Sequence, residues 1–174
     1  MADFKHDVPV TGAGQPSYTT CWYASYKMLF RFQKRNTNEV ESKLRGSGFD
    51  FDDAMAKGML DTKYKDAAAA LGLTVWAGSA FNLKPSWYDV GLSDGANAFI
   101  DELKKGPLWV SRKAGDEYHI VVAKGLDDWD GKIVWEYRDP YLSHCFAPLA
   151  SGNVLVAKWR KVPDEIARRV KGGQ

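Results

Sequence analysis

The apolar residues of this chain change their period at Gly106-Pro107. Before that dipeptide they recur at helical spacing, as at Trp22, Ala24, Met28, Leu29 and Phe32; after it they gather in short runs rich in Val, Ile and aromatics. A helical half followed by a strand half reads as α+β, with helices packed on an antiparallel sheet. The spacing predicts a helix from Cys21 to Lys34, following the Gly/Pro/Ser stretch Gly12 to Ser17. Asn36 with Glu39 forms a capping box for a second helix ending near Gly46. Phe51 to Lys57 reads as a short helix, Asp61 to Leu71 as one stopped by Gly72, and Asp94 to Lys105 as one capped by Ser93 and ended by Gly106-Pro107. Leu108 to Arg112, Tyr118 to Leu126, Lys132 to Asp139 and Val154 to Trp159 are expected as consecutive antiparallel strands, with Asp164 to Val170 as a last short helix. Residues 1–7 and the tail 171–174 are expected to be loose.

With 174 residues, 45% hydrophobic and 26% charged, the chain is expected to be a single domain, residues 1–174, rather than a disordered one. Its helical lobe spans about residues 18–106 and its sheet lobe about 107–160. A net charge of +2 argues against a nucleic-acid footprint or an anionic-membrane anchor. The longest uncharged run, Ala67 to Leu83, is shorter than a span of about 20 residues and is interrupted by polar residues, so no transmembrane segment is expected. Charges at Asp3, Lys5 and Asp7 fall where a signal peptide would be apolar, so no secretory signal is expected either. Cys21 and Cys145 are the only cysteines, which fits a reducing compartment. His6, His119 and His144 are scattered without metal-ligand spacing, so neither a metal nor another cofactor is expected.

Cys21 opens the first long helix, where the positive end of the macrodipole favours a thiolate, the nucleophilic form. The competing reading, a buried and inert thiol, is the commoner fate of a lone cysteine. His119 lies in phase with Val121 and Ala123 on a strand, either as a hydrogen-bonded core residue or as a base facing a site. A turn with an odd number of residues within Asp127 to Gly131 puts His119 and Asp139 on one face, whereas a two-residue loop sends them to opposite faces. On one face, Asp139 would fix the tautomer of His119 and stabilise its imidazolium, unless it merely ends a strand before Pro140. Gln15, in the loop before Cys21, has an amide to donate to an oxyanion beside the Cys21 N–H.

Together, Gln15-x5-Cys21-Trp22, Tyr118-His119-Ile120-Val121-Val122 and Arg138-Asp139-Pro140 resemble the papain-like cysteine peptidases. Val8-Pro9, Cys21-Trp22-Tyr23-Ala24 and Gly106-Pro107-Leu108-Trp109-Val110 make the resemblance closest to the compact bacterial branch that includes secreted effector proteases. The resemblance runs from Val8 to Tyr141. It implies a helical lobe carrying the nucleophile packed on an antiparallel sheet carrying the base, with Cys21 as nucleophile, His119 as general base and acid, Asp139 as orienter and Gln15 as oxyanion donor. Asp139 stands where papain itself has asparagine, and Tyr118 replaces a small residue common before the histidine, which is expected to narrow the substrate channel. Double-glycine leader peptidases share this plan but usually carry Asp-Cys-Gly, whereas this chain has Thr20-Cys21-Trp22.

Trp22, Trp87 and Tyr118 are candidates for a substrate groove, and Trp76, Phe81 and Tyr88 border the same Gly/Ser/Asn/Pro loop or else cover the core. His144 and Cys145 are adjacent on an extended segment, point opposite ways and are read as structural. The implied activity is hydrolysis of protein or peptide amides through an acyl-enzyme, in a bacterial effector or interbacterial toxin made in the bacterial cytoplasm and exported by a dedicated secretion system. A cognate immunity protein covering the cleft is then an expected partner. An amidase, deamidase or acyltransferase would use the same residues, and a catalytically silent binding domain would instead keep Cys21 inert.

Overall fold

The computed structural model describes residues 4–8, 17–77, 94–114, 117–129, 132–140 and 165–169. A short N-terminal strand β1 (Phe4–Lys5) precedes the helices α1 (Cys21–Phe32), α2 (Asn38–Gly46), α3 (Phe51–Lys57) and α4 (Tyr64–Ala70). Strand β2 (Leu73–Ala77) and helix α5 (Asp94–Lys105) lead into β3 (Leu108–Ala114), β4 (Glu117–Trp129) and β5 (Lys132–Arg138), and β6 (Glu165–Arg169) follows. The helices form where the apolar period predicts them. Thr37 is the N-cap of α2; one residue before it, the Asn36 side-chain oxygen accepts from Asn38 N at 3.0 Å, and the Glu39 carboxylate pairs with Arg35 and also takes a hydrogen bond from the Asn36 backbone. Gly72 stops the α4 segment with φ +72°, a conformation that glycine adopts without strain.

The strands form one antiparallel sheet in the order β1-β4-β3-β6-β2, with β5 added on β4. Gly125 pairs with both Lys5 and Glu136, and Val122 with both Trp109 and Arg138. Since a strand has two edges, β1 and β3 share one edge of β4 and β5 takes the other. Helix α1 supplies Trp22, Tyr26, Met28 and Phe30 to a core completed by Trp109, Ile120 and Val122 of the sheet. Tyr26 stacks on Trp109 with centroids 5.2 Å apart, and Trp109 Nε1 donates to the Trp22 carbonyl at 3.4 Å. Each such fully buried ring contributes roughly 2–3 kcal/mol of burial free energy, which fixes α1 on the sheet.

Four local expectations are corrected. The segment Asp164 to Val170 is not a helix, because Glu165–Arg169 pairs with β2 on one side and β3 on the other. Its Glu, Ala and Arg favour a helix in isolation, but a slot between two strand edges satisfies its backbone on both sides. Leu73–Ala77, which had been given no strand, is the other wall of that slot. Residues 4–6 are not loose either, since Phe4 and Lys5 pair with Leu126 and Gly125, and His6 Nε2 bonds the Leu103 carbonyl at 2.6 Å. Finally, Trp129 pairs with Lys132, so the β4–β5 turn holds two residues, 130 and 131, rather than an odd number. The expected strand Val154 to Trp159, the loop 78–93 and the tail lie outside the described residues.

A Cβ on Gly125 would collide with the Phe4 carbonyl oxygen and meet Lys5 Cα at 2.7 Å, both backbone atoms. Gly125→Ala is therefore expected to unseat β1, at a cost of about 1–3 kcal/mol. The His6 amide, which donates to Lys124 O at 2.8 Å, should lose its protection in hydrogen exchange while the β3–β4 amides keep theirs.

Candidate active site

Cys21 is the first residue of α1, and a 3-10 turn over Tyr18–Thr20 delivers it. That turn is closed by its own polar groups: Ser17 N donates to Thr20 Oγ1 at 3.1 Å, and Thr20 Oγ1 donates to Ser17 O at 2.9 Å. Thr19 Oγ1 donates to the Met55 carbonyl at 2.7 Å and Trp22 Nε1 to the Ala54 carbonyl at 3.3 Å, so α3 braces the turn from behind. Trp22 is 1% exposed, between the rings of Tyr23, Phe49 and Phe51. Its indole is packed in the core.

Four residues into α1, Ser25 donates from Oγ to the Ile120 carbonyl at 3.4 Å, within the buried contact between this helix and β4. Ile120 is the residue after His119, so the bond ties the helix that begins at Cys21 to the strand that carries His119. Ser25 was not singled out from sequence. Its signal was available, one helical turn after Cys21 on the same face.

His119 Nε2 lies 2.8 Å from Asp139 Oδ1. Asp139 is 1% exposed and sits just past the end of β5, before Pro140. With Nε2 engaged by Asp139, Nδ1 is the ring nitrogen left over, and Cys21, on the helical lobe, is close enough to the ring to raise its proton affinity. Burial alone would lower the imidazole pKa; the hydrogen bonds to Asp139 and Cys21 and the charges of both outweigh it, raising His119 to about 9. Cys21 is 6% exposed, packed among core hydrocarbon and close to the His119 ring.

The parity that joins His119 to Asp139 is not the one expected. A two-residue turn would send them to opposite faces, but the register shifts between Ala123 and Gly125. Gly125 pairs with Glu136 and Ala123 with Tyr137, which leaves Lys124 as an extra residue on β4. The bulge restores the parity that the turn removes, so by alternation His119, Ala123, Tyr137 and Asp139 share a face.

Gln15, Trp87, His144 and Cys145 lie outside the described residues, as does the side chain of Tyr118. No helix among the described residues is long and apolar enough to cross a membrane. Neither the curated proteins nor the solved structures include a match to the chain. A family model does match, described as papain-like cysteine protease AvrRpt2, over residues 3–145. That stretch holds α1, the whole of β3, β4 and β5, and every residue brought together at Cys21, so the chain belongs to the family of the papain-like cysteine protease AvrRpt2.

Proposed function

We propose that the chain, as a single domain, hydrolyses protein or peptide amide bonds with Cys21 as nucleophile, His119 as acid and base and Asp139 as the residue that orients His119. The observation that carries this reading is the His119 ring, bonded to Asp139 at 2.8 Å through Nε2, with Cys21 near enough to raise its pKa. The Cys21 thiolate attacks the carbonyl carbon, and the oxyanion is held by the Cys21 N–H and the Gln15 amide. His119, protonated up to about pH 9, gives its proton to the leaving amine, and a thioester acyl-enzyme remains. The neutral ring then takes a proton from water as it attacks the thioester, and the carboxylic acid departs. Gln15 enters by its spacing from Cys21, and Tyr118 and Trp87 stay as groove candidates by sequence position.

Labelling with iodoacetamide or an epoxide probe at neutral pH, followed by identification of the ends the protein creates in a lysate, tests the reading. Rapid modification at Cys21 and new ends that disappear in Cys21→Ala are expected. A thiol no faster than a free cysteine, with no new ends, would leave a silent binding domain, and release of ammonia without chain cleavage would leave a deamidase.

The biological role that fits is a bacterial effector or interbacterial toxin, exported by a dedicated machine and held in check at home by an immunity protein over the cleft. Expression in a bacterial or a eukaryotic cytosol is then expected to slow growth in a Cys21-dependent way, with rescue by an immunity protein where the target is bacterial. Equal growth with wild type and Cys21→Ala in both kinds of cell, at matched soluble expression, would remove the toxin role and leave the chemistry standing.

A further inference from the structure

We propose that the ion pair between buried Lys124 and half-buried Glu136 is a positioning element, holding the one-residue bulge that brings Asp139 onto the face of His119. Lys124 Nζ lies 2.5 Å from Glu136 Oε1, and the two side chains are 5% and 16% exposed. Lys124 is the bulge residue itself, and Glu136 is the partner of the next residue, Gly125.

The pair discriminates between two registers of the same hairpin. Continued without a bulge from Trp129↔Lys132, the ladder would set Lys124 opposite Tyr137 and Val122 opposite Asp139. Lys124 and Glu136 would then stand on opposite faces, and His119 and Asp139 would as well. In the bulged register, Lys124, Gly125 and Glu136 share the face away from His119, so the ammonium and the carboxylate meet only when His119 and Asp139 do. The unbulged register would leave a buried ammonium without its carboxylate, a costly arrangement that works against it. Strand β1 holds the same point from the other edge, through His6 N donating to Lys124 O at 2.8 Å. Neither charged residue touches the reacting atoms, and both act through Asp139.

The catalytic meaning of this element rests on the function proposed above, whereas its effect on register does not, and the test separates them. In the full chain carrying Lys124→Met and Glu136→Leu, the denaturant midpoint should stay near wild type, because an apolar pair of similar volume commonly replaces a buried ion pair without loss of stability. The His119 titration, followed by NMR, should fall from about 9 towards the ordinary imidazole value, and kcat should fall roughly tenfold or more with KM unchanged. The reversed pair, Lys124→Glu with Glu136→Lys, should restore both. A wild-type His119 titration in the apolar double variant would overturn the proposal. Should that variant not fold, Glu136→Gln is read by the same titration with the same two outcomes. A wild-type chain without hydrolytic activity would strike the proposed function alone, since the titration needs no substrate.

Discussion

Alanine at position 21 is expected to abolish turnover while leaving the fold intact. Without the sulfur there is no acyl-enzyme, and losing the nucleophile of a cooperating set costs on the order of 10^6 in kcat. The structural cost is small by comparison. Cys21 is buried at 6% exposure, and losing one sulfur there costs about 1 kcal/mol, because the rings that anchor α1 are untouched. A second readout accompanies the first: the thiol is among the groups that raise His119, so the His119 titration should fall in Cys21→Ala. Cys145→Ala should keep most of its activity. Hydrolysis surviving in purified Cys21→Ala, or lost equally in folded Cys145→Ala, would mean that the nucleophile lies elsewhere.

The helix N-terminus at Cys21 was legible because it depends on local signals: a polar loop, then apolar residues at helical spacing. The positions of α2, α3 and the central strands were legible for the same reason. What escaped was decided by partners distant in sequence. Glu165–Arg169 has helix-forming residues and becomes a strand only because β2 and β3 present edges to it. Phe4–Lys5 is too short to carry a period, and its place follows from the missing side chain at Gly125.

The route from His119 to Asp139 shows how a local rule can give the right neighbours for the wrong reason. Sequence reasoning placed the parity correction in the turn, where odd and even loops have known consequences. The chain keeps a two-residue turn and makes the correction inside β4, at a lysine. Strand periodicity alone does not place the bulge, although a glycine inside a strand run, as at Gly125, is a signal of a bulge or of close backbone approach. A lysine in an otherwise apolar run, matched to a glutamate on the next strand, was a second available signal.

Asp139→Ala and Asp139→Asn are expected to separate the orienting role of the carboxylate from its charge. Alanine removes the acceptor 2.8 Å from His119 Nε2, frees the ring to turn from Cys21, and should lower kcat by roughly 10^2 to 10^4. Asparagine keeps an oxygen there but loses the charge, so Asp139→Asn should lose less activity than Asp139→Ala and shift the basic limb of the pH profile down. Stability should follow the same proton. His119 titrates at about 9 in the fold against 6.5 as an ordinary imidazole, so its stabilising contribution is complete below about pH 6.5 and is lost as pH rises through about 9. The contribution is on the order of 3 kcal/mol for a side chain 22% exposed. Urea unfolding at about pH 6 and about pH 10 should show that loss in wild type, a smaller one in Asp139→Asn and the flattest dependence in Asp139→Ala. A wild-type pH slope in Asp139→Ala would mean that the carboxylate does not hold the proton on His119, and its part in catalysis would then need another basis.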